Sequence, residues 1–275
     1  MIKDIVVNLG LGAQDPAVEY AVSLGEQFEA HVLGIAVSYE PVIPGTIMGG
    51  IPPEIIESQR AESNAKARAA IARFEQAAKR AGISAETRTI RTSISGAADQ
   101  IGRIGRRFDL IVVGQPRRER SMPDEVVDEG VLFESGRPVI FVPYIHKGGA
   151  KFDHIVVCWD GGRAATRAIA DSMPLLKKTK QVDIVIISDK PPKQDEVPGA
   201  DLGEHLARHG LKVDVKRITS PDTDVPSTIL SYVADSDADM IVMGGYGHSR
   251  LREFVLGGAT RGLLEAMTVP VLMSH

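Results

Sequence analysis

The sequence is short of cysteine, of net charge and of long apolar runs, and each shortage excludes a class of protein. Cys158 is the single cysteine among 275 residues, so the chain forms no internal disulfide bond, which fits a reducing cytoplasm. A formal net charge of −4 gives no overall attraction to nucleic acid or to an anionic membrane. No apolar run approaches the roughly 20 residues of a membrane span, and the first residues lack the pattern of a signal peptide. We therefore expect a cytoplasmic globular protein with no nucleic acid and no membrane as partner.

Several motifs of nucleotide binding and catalysis are missing as well. The chain has no Gly-Lys-Ser/Thr, which excludes a P-loop, and no Gly-x-Ser-x-Gly, which argues against an α/β-hydrolase. Gly10-Leu-Gly12 begins like a dinucleotide fingerprint, but its third glycine is missing and a tight turn is the better interpretation. His205 and His209 have the spacing of two metal ligands on a helix, but no third ligand is evident and a solvated helix face is favoured. We expect Cys158 to be a buried, unreactive thiol.

What the sequence does contain is an internal repeat. The segments Lys3–Leu9 and Asp153–Trp159 share Ile-Val-Val at an offset of 150 residues. Two further pairs of apolar segments recur in the same order at offsets of 130 and 132 residues, namely Asp109–Gly114 with Asp239–Gly244 and Pro138–Val142 with Pro270–Ser274. Such self-similarity indicates two copies of one unit. We expect domains at 1–146 and 151–275, joined by the polar, glycine-rich segment around His146–Ala150.

Apolar segments and helical patterns alternate within each repeat. Strands rich in Val, Ile and Leu that alternate with helices predict an α/β fold with a doubly wound, five-stranded parallel sheet in each domain. The long helix begins at the prolines Pro52 and Pro53 and ends at Gly82, as helix termini favour. The predicted strands are 3–9, 31–38, 86–92, 109–113, 138–142, 153–159, 181–187, 212–218, 239–243 and 269–273, and the predicted helices are 14–28, 54–81, 95–107, 123–134, 163–173, 199–209, 224–235 and 258–267.

A glycine-rich loop stands between the fourth strand and the last helix of the second repeat. It runs from Gly244 to Thr260 and follows the apolar run Met240–Met243. Backbone N–H groups of such a loop, together with a helix N-terminus, favour an anion, and phosphate is the usual one. A ligand is expected at the carboxyl ends of the parallel strands, where the strand order reverses.

The loop resembles the signature of the universal stress protein family, in which Gly, two residues, Gly, nine residues and Gly are followed by Ser or Thr. Gly244, Gly247 and Gly257 match this pattern, whereas Gly258 departs from it and a hydroxyl returns at Thr260. The resemblance implies that the loop holds the phosphates of ATP or AMP, with or without Mg²⁺. It also implies that Asp160, directly after the first strand, contacts the nucleoside, and that the backbone near Ile187 meets the adenine.

The first repeat has lost the same features. Gly10 stands at the position of Asp160, Arg117 at that of Gly247, and Val127 at that of Gly257. Pro116 lacks an N–H group, and side chains at the other positions block close approach of a phosphate. We interpret the first domain as a structural or regulatory partner without a nucleotide motif.

Three functions follow from these observations. The first is a stress-response regulatory protein that binds ATP or another adenine nucleotide in its C-terminal domain; it is not an enzyme, and any ATP hydrolysis is slow because no residue set offers a catalytic base. The second is a nucleotide-free scaffold that acts through protein–protein contacts, which Gly258 favours. The third is an enzyme of adenylate chemistry, which the lack of a catalytic constellation disfavours.

The resemblance also implies a mode of assembly. In the family the fifth strands of two domains pair to make a two-fold dimer, and both repeats retain an apolar candidate strand, at 138–142 and 269–273. Pairing also covers sheet edges, which proteins rarely leave exposed. We therefore predict an intramolecular pseudo-dimer through these strands, and a homodimer of the whole chain is left open.

Overall fold

The computed structural model describes residues 1–12, 15–40, 52–116, 124–188, 199–219, 224–245 and 259–275. These residues contain ten strands and eight helices, and every strand and helix predicted from the sequence is present. The strands are β1 (Asp4–Asn8), β2 (His31–Tyr39), β3 (Ala85–Thr92), β4 (Leu110–Gly114), β5 (Val139–Val142), β6 (His154–Cys158), β7 (Gln181–Ser188), β8 (Val213–Thr219), β9 (Met240–Gly244) and β10 (Val271–Ser274). The helices are α1 (Pro16–Phe28), α2 (Pro53–Ala81), α3 (Ile94–Gly105), α4 (Asp124–Ser135), α5 (Arg163–Leu176), α6 (Ala200–Arg208), α7 (Val225–Asp235) and α8 (Ala259–Ala266).

The termini of α2 follow the residues that predicted them. Pro52 is the N-cap and Pro53 is the first helical residue, where a missing N–H group costs no hydrogen bond. Gly82 closes the helix with a φ of 66°, a left-handed conformation that glycine adopts without strain. None of the described helices is both long enough and apolar enough to cross a membrane.

The first compact unit comprises residues 1–137 and 147–150. Its strands lie in the order β3-β2-β1-β4, and all three pairings are parallel. The chain therefore moves outward from β1 to β3 and then returns to the other side of β1 with β4, which is the reversal of a doubly wound sheet. Helix α2 packs on β2 through Phe74, and a Cβ atom at Gly34 would lie 2.7 Å from this ring, so the strand needs glycine there.

The second compact unit comprises residues 138–146 and 151–275. Its strands lie in the order β5-β10-β9-β6-β7-β8, and only the pairing of β5 with β10 is antiparallel. In that pair Val271 lies opposite Phe141 and Met273 lies opposite Val139. The predicted pairing between the last strands of the two repeats is therefore present.

The same pairing changes which unit β5 belongs to. The sequence analysis counted 138–142 as the fifth parallel strand of the first domain, whereas the structure places β5 in the second unit. The reason is the antiparallel ladder with β10, which is made by four residues that are all buried. The first unit by itself holds a four-stranded parallel sheet, and the domain boundary at 146–151 stays a prediction.

A repeated aspartate ties the first and fourth strands of each unit at their amino ends. In the first unit the Asp109 carboxylate accepts hydrogen bonds from the backbone N–H groups of Lys3 and Asp4, at 2.7 and 3.1 Å. In the second unit the Asp239 carboxylate accepts one from the His154 N–H at 2.9 Å and also binds Lys151 Nζ at 2.8 Å. The two aspartates occupy the 130-residue offset of the repeat.

The β5–β10 ladder predicts how fragments of the chain behave. A fragment of residues 151–275 keeps β10 but lacks β5, so its unpaired edge should pair with a second copy and form a dimer. The fragment 138–275 carries its own β5 and should remain a monomer at the same concentration. Sedimentation velocity on the two fragments tests this, and a monomeric 151–275 fragment would contradict the account of the edge.

Candidate functional site

The carboxyl ends of β6 and β9 define the candidate site in the second unit. The two strands are parallel neighbours, with Ile155 opposite Met240 and Val157 opposite Val242. From β6 the chain moves to β7 on one side and returns as β9 on the other, so the strand order reverses between β6 and β9. The crevice at such a reversal is where open α/β sheets bind ligands.

Asp160 occupies the turn between β6 and α5. The Trp159 N–H donates to the Val185 carbonyl of β7, and Gly161 follows Asp160 with a φ of 75°, which glycine tolerates. Asp160 Oδ1 accepts a 2.7 Å hydrogen bond from the N–H of Gly162, the N-cap of α5. Asp160 itself is exposed, so this bond fixes its carboxylate at the entrance to the helix.

Gly244, the last residue of β9, packs against the first turn of α5. A Cβ atom at this position would lie 2.5 Å from Ala165 N and 2.7 Å from Ala164 C, distances that no side chain tolerates. The glycine therefore lets the strand end approach the helix N-terminus. The first repeat has no such contact, since a Cβ at Gly114 would meet only Asp128 Oδ2, at 3.9 Å. Helix α5 starts three residues earlier in its repeat than α1 does, and this added turn reaches the crevice.

The base of the glycine-rich loop is anchored on β10. The Gly245 N–H donates to the Ser274 carbonyl at 2.9 Å, and Ser274 Oγ donates to Asp171 Oδ2 on α5 at 2.8 Å. His275 Nδ1 lies 3.1 Å from the Gly245 carbonyl oxygen. Sequence reasoning did not find Ser274 and Asp171, because their pairing depends on the contact between α5 and β10 and leaves no local pattern.

The remaining predicted residues are placed in part. Thr260 is the second residue of α8 and is only 4% exposed. Ile187 lies on β7 two residues beyond Val185, which is opposite the last residue of β6, so this end of β7 extends past β6. Gly247, Gly257 and Gly258 lie outside the described residues. The structure thus joins Asp160, α5 and Gly244 and leaves the rest of the loop as a prediction.

The corresponding crevice of the first unit is filled by its own side chains. Asn8, at the end of β1, donates from Nδ2 to Asp128 Oδ1 of α4 at 2.7 Å, and both residues are buried. Asp15 Oδ2 accepts the Gly10 N–H at 2.6 Å, and Arg73 of α2 donates to the Gly10 carbonyl at 3.1 Å. A carboxylate at the end of β1 opposes a bound phosphate. These contacts agree with the loss of the motif in the first repeat.

Two further groups from the sequence have no reactive character in the structure. Burial raises the pKa of the Cys158 thiol to about 12, and the Asp160 carboxylate adds to the shift. His205 and His209 are exposed on α6 with their ring centroids 4.9 Å apart. Within the described residues, no three His, Cys, Asp or Glu side chains are grouped to hold a metal ion.

Comparison with known proteins agrees with the geometry of the second unit. Residues 151–275 match the sequence model of the Universal stress protein family. The chain belongs to the universal stress protein family through its second repeat. A universal stress protein of Synechocystis sp. is 23% identical over 171 residues, a match that spans 60% of this chain and 57% of that protein.

Solved structures of universal stress proteins share the fold. That from Archaeoglobus fulgidus superimposes with a TM-score of 0.71 at 21% identity and covers 98% of this chain and 94% of its own. A universal stress protein solved in complex with cAMP covers 45% of this chain and 97% of its own, with a TM-score of 0.33 and 16% identity. The similarity to the archaeal protein extends the fold over both repeats.

The close approach at Gly244 of the universal stress protein domain yields a test of its role. Gly244→Ala should lower the free energy of unfolding by about 1–3 kcal/mol, because the added methyl group overpacks the α5 backbone. The matched control is Gly114→Ala in the first repeat, where the methyl group has room and the change should be under about 0.5 kcal/mol. Urea denaturation of both variants measures the difference, and equal stabilities would show that the approach at Gly244 is not tight.

Proposed function

We propose that the second unit binds ATP or AMP at the crevice between β6 and β9, and that the chain acts as a stress-response regulatory protein through this binding. The observation that carries the proposal is the first turn of α5, which meets the end of β9 at Gly244. A helix N-terminus at the reversal of a parallel sheet provides N–H groups and a partial positive charge for an anion. Membership of the universal stress protein family supports an adenine nucleotide as the ligand.

Each residue then has a chemical task. Asp160 uses Oδ1 to hold Gly162, so Oδ2 is the oxygen we assign to a hydroxyl of the ribose. The backbone at Ile187, on the part of β7 that extends past β6, is assigned to the adenine edge. Gly244 sets the approach of β9 to α5, while Gly247, Gly257 and Gly258 supply backbone N–H groups to the phosphates. Thr260 places a hydroxyl at the start of α8.

The site is built for binding rather than for turnover. A general base must lie within hydrogen-bond reach of the attacking water, and the described residues of the crevice offer the single carboxylate Asp160, which already holds Gly162. Mg²⁺ would then be carried by the phosphates of the nucleotide rather than by a protein cage. Any ATP hydrolysis is accordingly slow, and the location of the protein is the cytoplasm.

A nucleotide-free scaffold is the second candidate function, and two observations favour it. Gly258 replaces the hydroxyl that follows the third glycine in the family signature, and Thr260, which restores a hydroxyl nearby, is almost completely buried. A buried hydroxyl reaches a phosphate only if the phosphate enters the fold or the helix start moves. Nucleotide binding by the purified chain separates the two functions.

The filled crevice of the first unit predicts one nucleotide for each chain. Calorimetric titration of the apo protein with ATP, AMP and cAMP should give one site, and the fluorescence of Trp159 should change at the same stoichiometry because this single tryptophan precedes Asp160. Asn8, Asp128 and Arg73 already occupy the alternative crevice. Two equal sites would contradict this prediction, and no heat with any of the three nucleotides would favour the scaffold.

Variants of the site distinguish the phosphate and nucleoside ends. Gly247→Val should abolish binding with little loss of stability, since a branched side chain blocks the approach of phosphate to the backbone. Asp160→Ala should weaken binding by about tenfold or more, because a hydrogen bond to a charged group is worth about 1.5–3 kcal/mol. Asp235→Ala removes an exposed carboxylate on α7 and serves as the charge control. Titration of Gly247→Val with an unchanged affinity would exclude this loop as the phosphate site.

A further inference from the structure

A buried polar cluster lies at the amino ends of β6 and β7, the opposite edge of the sheet from the candidate nucleotide site. We call His154, Asp183, Tyr232 and Ser236 the amino-end cluster. Asp183 is only 4% exposed although it lies within the apolar strand β7, and the His154 side chain is 17% exposed. An ionised group so deeply buried requires partners, and the cluster supplies them.

The carboxylate of Asp183 receives three polar contacts. Tyr232 of α7 donates its hydroxyl to Oδ2 at 2.6 Å, and Gln181 Nε2 donates to Oδ1 at 3.0 Å. His154 Nε2 lies 3.0 Å from Oδ2. Burial alone would raise the pKa of Asp183, but the hydrogen bonds from Tyr232 and Gln181 and the charge of His154 outweigh it and lower the pKa below its ordinary value. Asp183 therefore stabilises the fold above the ordinary pKa of aspartate, and this stabilisation is lost as pH falls through the lowered pKa.

Both nitrogens of the His154 ring face hydrogen-bond acceptors. Nδ1 lies 3.0 Å from the Ser236 carbonyl oxygen, which can only accept. Nε2 faces the Asp183 carboxylate and has no other hydrogen-bond partner in the described part of the chain. A neutral imidazole carries one N–H group and leaves a lone pair on the other nitrogen. Only the doubly protonated ring presents a hydrogen to both acceptors.

The helix that supplies these acceptors also favours a positive ring. Ser236 is the C-cap of α7, and its N–H bonds back to the Tyr232 carbonyl. The C-terminus of a helix carries a partial negative charge that stabilises a cation. The other charged groups around His154 are Asp239, which binds its backbone N–H, Lys151, which pairs with Asp239, and Asp214 of β8, which accepts from Gln181.

The first repeat builds the same strands without the cluster. Asp4 stands at the position of His154, Leu33 at that of Asp183, and Gly102 at that of Tyr232. The fold itself therefore does not require these polar residues. Apolar replacements of a buried ion pair are often neutral or stabilising, so their presence in the second unit points to a property other than bulk stability.

We propose that His154 is an imidazolium in the folded protein and that the amino-end cluster is a proton-dependent clasp that fastens α7 to β6 and β7. When His154 loses its proton as pH rises, Nε2 faces a carboxylate without a hydrogen between them, and the attachment of α7 weakens. The clasp makes the second unit respond to pH in the range where imidazoles titrate, near pH ~6.5 for an unperturbed ring. This inference does not depend on nucleotide binding.

The protonation state is read directly by NMR of the unmodified chain. Ring nitrogen shifts of ¹⁵N-histidine-labelled protein, with His154 assigned by the loss of its signal in His154→Gln, should show protons on both nitrogens at about pH 6, below the ~6.5 of an unperturbed ring. A His154 ring that carries a proton on Nδ1 alone at this pH would overturn the proposal. The wild-type spectrum decides the question even if a variant fails to fold.

Hydrogen exchange tests the mechanical part of the clasp. Protection of the α7 amides, corrected for intrinsic exchange, should fall by about tenfold between pH values of about 5.5 and 8.5, as expected for a change of about one unit in proton affinity. The matched control combines His154→Gln, Asp183→Leu and Tyr232→Phe, with leucine taken from the first repeat. Its α7 protection should not depend on pH. Equal protection of the wild-type helix at both pH values, or the same fall in the control, would overturn the clasp.

Discussion

The carboxylate at the head of the fourth strand of each repeat sets the geometry on which the rest of the fold depends. Asp109 and Asp239 accept backbone N–H groups from the start of β1 and β6, and each donates its own N–H to the first strand, at 2.9 and 2.8 Å. Parallel strands have no turn between them to fix their register. Here a side chain does so at the amino end. With this register fixed, the carboxyl ends of the same two strands meet at a defined crevice, 130 residues apart in the two copies.

The two copies use that crevice differently. In the second unit the earlier start of α5 and the bare backbone of Gly244 bring a helix N-terminus to the end of β9. In the first unit Asn8, Asp128 and Arg73 satisfy each other or the nearby backbone. Helix α7 lies between the two edges of the second unit: its far end holds the amino-end cluster, and Pro226 near its start packs on Gly262 of α8. Divergence after duplication thus altered polar side chains and helix starts while the apolar strands were kept.

Sequence patterns predicted the strands and helices because each strand is an unbroken apolar run and the helices have clear termini. They did not predict that β5 lies in the second unit, since strand partners far apart in the chain leave no local signal. They identified Gly244 as a phosphate-loop residue but not its packing against Ala165, which depends on where α5 begins. Asp183 was overlooked within the apolar run of β7, although a lone aspartate among Val and Ile is itself an unusual pattern. The glycine spacing remains the basis for Gly247, Gly257 and Gly258.

The raised pKa of Cys158 has a practical consequence for work on this protein. With a value of about 12, its thiolate is scarce at neutral pH, and thiolate is the form that maleimides and iodoacetamides attack. The chain has no other cysteine. A cysteine introduced on an exposed face of either unit would therefore carry a fluorescent or spin label almost alone, with the natural thiol left in place. Pairs of such labels, one in each unit, would report distances between the two halves of the chain in solution without a prior cysteine-removing mutation.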